Sequence, residues 1–140
     1  MGDITGYRTD DTAASVTAGL FVPLDPVRVF DTREEEVPPG PKGFVAAGAT
    51  IDVAVAGAVG IPADAAAVVL NVTMVRPDGN GPVTVYPCGT RPLASSLNAP
   101  LGGGVVANEV VAKVSSSGSV CLYAGVGTHL VADVTGYVAE

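Results

Sequence analysis

The chain has 140 residues, enough for one domain with a single buried core. Its formal net charge is −7, and its basic residues (Arg8, Arg28, Arg33, Lys42, Arg76, Arg91 and Lys113) are scattered. No basic stripe exists to neutralise nucleic-acid phosphates or an anionic membrane surface. Hydrophobic residues make up 48% of the chain, but 18 glycines and 11 prolines break them up. No apolar run reaches the ~20 residues of a spanning helix, so membrane insertion is not expected.

The chain opens with "MGDITGY" (1–7), which lacks the charged n-region and apolar h-region of a secretory signal. "RTDDTAASVTAG" (8–19) is polar and rich in small residues, as a linker is. "LFVPL" (20–24) and "VRVFDTR" (27–33) read as two short strands, followed by the acidic, Pro-rich loop "EEEVPPGPKG" (34–43). Glu34 to Glu36 lack the alternating oxygen spacing of a calcium loop, so no metal is expected there. In "TIDVAVA" (50–56) strict alternation puts Ile51, Val53 and Val55 on one face and Thr50, Asp52 and Ala54 on the other. "PADAAAVV" (62–69) has the alanines of a helix, but the β-branched run that follows argues for a strand.

"AVVLNVTMV" (67–75) is apolar on both faces, the mark of a central strand. "RPDGNGP" (76–82) is dense turn chemistry and predicts a hairpin with "VTVYPC" (83–88). "SSSG" (115–118) predicts a second hairpin, between "VVANEVVAKV" (105–114) and "SVCLYA" (119–124). "GVGT" (125–128) leads into a last strand, "HLVADVTGYV" (129–138). Together these segments predict an all-β fold, an antiparallel β-sandwich of about nine or ten short strands.

Alternation also makes several polar residues conspicuous. Asn108 shares a face with Val106, Val110 and Val114; Asp31 with Val27 and Val29; Asp133 with Val131. Asn71 lies in a run that is apolar on both sides. Buried polar groups must be hydrogen-bonded, and a buried carboxylate needs a partner or a shifted pKa. Asp31, Arg33, Asn71, Asn108 and Asp133 are therefore candidates for a buried polar network or a ligand pocket. In the network reading, which suits a protein so rich in loops, they tie off loop backbones, and Arg28 or Arg33 neutralises a carboxylate.

Nothing comparable points to catalysis. His129 is the single histidine, with no nucleophile beside it in a recognisable motif. Gly102 to Gly104 lack the Lys-Ser/Thr of a phosphate loop. "NVT" (71–73) matches a glycosylation sequon but falls inside a strand. Neither an enzyme nor a cofactor is expected. Cys88 and Cys121 have the wrong number and spacing for a zinc site. They are either a disulfide formed in an oxidising compartment or two buried thiols, and the bridge is the preferred reading.

Taken together, "PLDPVRVFDTR", "AAVVLNVT", "VTVYPCG", "RPLASSLN", "ANEVVAKV", "GSVCLYA" and "VADVTGYV" resemble a repeat module of secreted actinobacterial cell-surface proteins. Such modules occur in tandem or appended to extracellular hydrolases and peptidoglycan-lytic enzymes. The resemblance runs from Leu20 onward and brings no catalytic residues with it. It implies a non-catalytic, exported β-domain, extracellular or at the cell surface, in which Cys88 pairs with Cys121.

It also gives a meaning to the near-identity of "DITGY" (3–7) and "DVTGY" (133–137). Residues 1–18 would be the tail strand and linker of a preceding repeat, and 19–140 a single β-sandwich module. The partners would then be neighbouring copies, head to tail. The expected function is a structural or adhesive module that extends or displays partner domains. The alternative is a carbohydrate-binding module for a cell-wall or environmental polysaccharide. The absence of Trp and the presence of only four Tyr count against it, because sugar rings commonly stack on exposed aromatics.

Overall fold

The computed structural model describes residues 4, 7, 10–14, 18–33 and 40–140. Eight strands run through them: β1 (Phe21–Asp31), β2 (Thr50–Ala54), β3 (Ala67–Val75), β4 (Pro82–Pro87), β5 (Leu97–Asn98), β6 (Val105–Lys113), β7 (Ser119–Ala124) and β8 (His129–Val138). They form two antiparallel sheets of four strands, ordered β1-β8-β3-β6 and β2-β7-β4-β5, which pack as a β-sandwich.

The core lies between the inner faces. Val68, Leu70, Val72 and Met74 of β3, with Leu130, Ala132 and Val134 of β8, meet Ile51, Val53, Val83, Val85, Val120 and Leu122 of the other sheet. Fully burying one such Val or Leu side chain is worth roughly 1.5–3 kcal/mol. The alternation in β2 works as its sequence implies, with Ile51 and Val53 buried and Thr50, Asp52 and Ala54 exposed. β3 is apolar on both faces because it is central, flanked by β8 and β6. The alanines before it form no helix; residues 62–66 turn into the strand.

Three expectations need correction. The strands number eight rather than nine or ten: 20–24 and 27–33 belong to one irregular strand, β1, and the two-residue β5 falls in a stretch not read as a strand. Pro23 and Pro26 remove ladder donors and the register shifts between Pro23 and Val27, yet the chain keeps its direction along β8. An edge strand tolerates such prolines, and β1 is an edge.

The two predicted hairpins do not form either. β3 and β4 lie in different sheets, as do β6 and β7, so 76–81 and 114–118 are arches that cross from one sheet to the other. Turn residues encode a reversal of the chain, but they do not choose the strand that receives the hydrogen bonds. Here β3 pairs with the longer β8 and β6, and β4 with β7 and β5.

Candidate functional site

Most of the predicted polar residues converge where β1 meets β8. Arg28 and Asp133 are register partners, so their side chains leave the same, outer face of the sheet. Arg28 donates from Nε to Asp133 Oδ1 at 2.9 Å and from Nη2 to Oδ2 at 3.3 Å, and its Nη1 reaches Asp31 Oδ2 at 3.1 Å.

Residues 28 and 31, three apart in a regular strand, would point to opposite faces. The register shift between Arg28 and Phe30 brings them together, placing Phe30 opposite Ala132 in the core and Asp31 opposite Val131 outside. This corrects the expectation that Asp31 shares a face with Val27 and Val29. The bulge inverts the alternation after Arg28.

Arg33 closes over the same carboxylate. Its backbone N–H and Nε donate to Asp31 Oδ1 at 2.9 and 3.0 Å, and its Nη2 donates to Oδ2 at 2.8 Å. Lys42 Nζ donates to the Asp31 carbonyl at 2.9 Å. The Asp31 side chain is wholly shielded from solvent. The Arg33 hydrogen bonds hold its carboxyl below the usual carboxylate range, against the opposing effect of burial. The Arg28 guanidinium is correspondingly raised, chiefly by Asp133.

Asn71 is the next residue along this row. It pairs with Asp133 on one side and Glu109 on the other, so Arg28, Asp133, Asn71 and Glu109 cross all four strands in line. Asn108 stands apart from that row. It pairs with the buried Val72 on the inner face but sits on the edge strand, where it is exposed, and its Nδ2 donates to the Ser96 carbonyl of the other sheet at 2.7 Å. It ties the two sheets together at their open side.

Thr32 and His129 form a second contact group that the sequence did not single out together. Thr32 Oγ1 accepts from the Leu130 N–H at 3.0 Å and lies 3.1 Å from His129 Nδ1. While accepting from that N–H, the hydroxyl can donate its proton to Nδ1 of the neutral tautomer that carries its hydrogen on Nε2. The Phe44 ring meets the imidazole edge-on at 5.3 Å between centroids. Burial first, then the positive charges of Arg76 and Arg33, push the His129 pKa down. The one hydroxyl that these contacts bring to the ring, Thr32 Oγ1, belongs to a residue only 2% exposed, so it is shielded from solvent and not presented to a substrate.

Cys88 and Cys121 form a disulfide with their Cα atoms 4.9 Å apart, joining the end of β4 to β7. Asp52, opposite Cys121 in register, brings a carboxylate oxygen within 4.8 Å of both sulfurs. This is the one cluster with metal-ligand spacing among the described residues. Bridged sulfurs carry no thiolate charge, so it does not make a metal site.

Two shallow grooves follow the open sides of the sandwich. One of about 480 Å³ lies between β1 and β2, lined by Val29, Phe30, Pro41, Val53 and Val59. The other, about 720 Å³, runs along β6 past Ser95, Ser96, Asn98, Asn108 and Val110.

Three tyrosine rings are already engaged. Tyr86 is buried, Tyr137 packs against the core, and the Arg91 guanidinium lies 3.8 Å from the centre of the Tyr123 ring. The strand expected over Asp3–Tyr7 lies largely outside the described residues. Of it, Ile4 and Tyr7 are described, and they are 95% and 90% exposed. The acidic run Glu34 to Glu36 also lies outside them. Among the described residues no helix is long and apolar enough to cross a membrane. Comparison of the chain with family models, with curated proteins and with solved structures finds no match.

Proposed function

We propose that this chain is a non-catalytic extracellular repeat module, a structural or adhesive unit that displays partner domains at the cell surface. The observation that carries this reading is the work done by "DVTGY" inside β8. Asp133 takes the Arg28 fork, Val134 is fully buried, and Thr135 occupies the register shift against β3. Gly136 lies beneath the Phe21 ring, where a Cβ would come within 2.5 Å of a ring carbon. Tyr137 packs on the core. Asp133 and Gly136 in particular suit this slot, and the slot is filled by the C-terminal copy.

A second "DITGY" at 3–7 repeats four of these five residues, with Ile4 in place of Val134, and the corresponding slot in this sandwich is already taken. It is what the closing strand of a preceding module would need. The disulfide supports an oxidising, extracytoplasmic setting. Mutual pairing of Arg28, Asp31, Arg33 and Asp133 accounts for the buried charge without a ligand, which supports a structural role.

Light scattering on the full chain and on a chain lacking Met1 to Thr17 tests the repeat boundary. Weak, concentration-dependent association of the full chain should disappear on deletion while the fold is retained. A monomeric full chain whose fold collapses on deletion would make the segment an integral strand of this module. A glycan-array screen addresses the adhesive role. Specific binding to one polysaccharide class would replace this reading with a carbohydrate-binding module.

A further inference from the structure

The first strand begins beside the end of the last. Phe21 pairs with Val138, and two backbone hydrogen bonds extend the ladder outward: the Gly19 N–H donates to the Ala139 carbonyl at 2.9 Å, and the Ala139 N–H donates to the Leu20 carbonyl at 3.0 Å. The chain therefore comes into the sandwich and leaves it at one pole, in neighbouring strands roughly 4.8 Å apart. The arches 76–81 and 125–128 and the turn 99–104 lie at the opposite pole.

We propose that the module hangs from its chain by this one pole, and that tension along the chain unzips β1 from β8 instead of shearing them. In a sandwich whose ends leave at opposite poles, stretching loads the terminal strands along their length and many hydrogen bonds share the force. Here the force falls first on the Gly19–Ala139 and Leu20–Ala139 bonds, then on each rung in turn. β1 is also the weaker strand at this end. Pro23 and Pro26 donate no hydrogen bond, and the ladder is interrupted between Pro23 and Val27. Firm resistance begins only at Arg28, with its fork to Asp133, and at the buried Phe30.

A consequence for arrays rests on the repeat reading above. Asp3 and Asp133 lie 130 residues apart (133 − 3), and residues 8–18 would be the linker between modules. These eleven residues span at most about 36–40 Å. Consecutive modules would then attach within about 40 Å of one another and hang from the linkers, their far poles outward. Passage through the module adds almost nothing to the length of the chain. With ends at opposite poles, a strand as long as the ten-residue β8 would add about 33 Å more per module.

Optical-tweezers pulling on a single copy tests the mechanical claim independently of any repeat. Handles are coupled through Ala18→Cys and Glu140→Cys, or through Ala18→Cys and Leu101→Cys, all at exposed positions. The first geometry should open at the lower force, with an initial step that frees the eleven residues of β1, roughly 36–40 Å of chain. The second should need more force and lack that step. Equal forces with one unfolding event in both geometries would overturn the proposal. Because one copy suffices, failure here leaves the repeat boundary to be judged by the light-scattering comparison alone.

Discussion

Asp31 is the residue on which most of the polar chemistry depends, since its shielded carboxylate receives hydrogen bonds from both Arg28 and Arg33. Asp31→Ala removes the carboxylate that both guanidinium groups share, so it should cost roughly 2–3 kcal/mol. Asn108→Ala gives up a single hydrogen bond at an exposed edge and should cost about 1 kcal/mol or less. Urea titration checks both, through a lower midpoint at unchanged slope.

Acid should act in two stages. His129 is lowered in the fold from its ordinary 6.5, so the unfolded chain binds the proton more readily. Stability is full above 6.5, declines as pH falls toward the depressed folded value, and levels off below it. Asp31 is lowered from 3.8, so its contribution is complete above that value and is lost as pH falls through the folded one. Thermal melts across this range should show both declines, and His129→Gln should abolish the upper one alone.

At the scale of the element, the β1–β8 pair depends on what β8 lacks. A Cβ at Gly136 would sit 2.5–2.7 Å from Phe21 ring carbons and 2.7 Å from the Val22 carbonyl. Gly136→Ala must therefore push β1 away, at a cost of about 1–3 kcal/mol. Removing the ring as well, with Phe21→Ala, should recover part of that loss but not all, because the carbonyl is fixed by the ladder. Melting temperatures of the two single variants and the double variant decide it.

β6 presents a different edge. It is nine residues long, has no proline and no register shift against β3, and is guarded at its end by Lys113. It is the edge on which an added strand would pair most readily, which makes the association test on the N-terminal segment informative.

Over the whole molecule, every connection except β4 to β5 crosses from one sheet to the other. Nearly all pairing is therefore between segments distant in sequence, and loops must close before hydrogen bonds form. Refolding with the disulfide intact should be slow for a chain of this size, in the millisecond-to-second range, as stopped-flow fluorescence of the tyrosines would show. The Cys88–Cys121 bridge lowers the entropy of the unfolded chain across a separation of 33 residues. Its removal should cost about 3–4 kcal/mol in the chain-entropy model. Intact mass should rise by two hydrogens on reduction, with a fall in melting temperature. Alkylation of both cysteines in the unreduced native protein would contradict the bridge.

By itself the sequence determined the class of fold, the positions of most strands, the faces of β2 and the central place of β3. All of these follow from local alternation and from residues that cannot continue a strand. It also marked the residues of the ion-pair cluster as polar groups needing partners. Tertiary structure alone decided who those partners are. Alternation assigned Asp31 to the wrong face because one register shift, invisible in a period of two, brings it to Arg28. Asn108 was drawn into the same group by its apolar neighbours, but an edge strand leaves it exposed and bonded to Ser96 of the other sheet. The turns at 76–81 and 115–118 were legible as reversals and misleading as hairpins. A reversal is a property of four or five residues, whereas the choice between neighbour and opposite sheet depends on which strands across the whole chain bury the most apolar surface together.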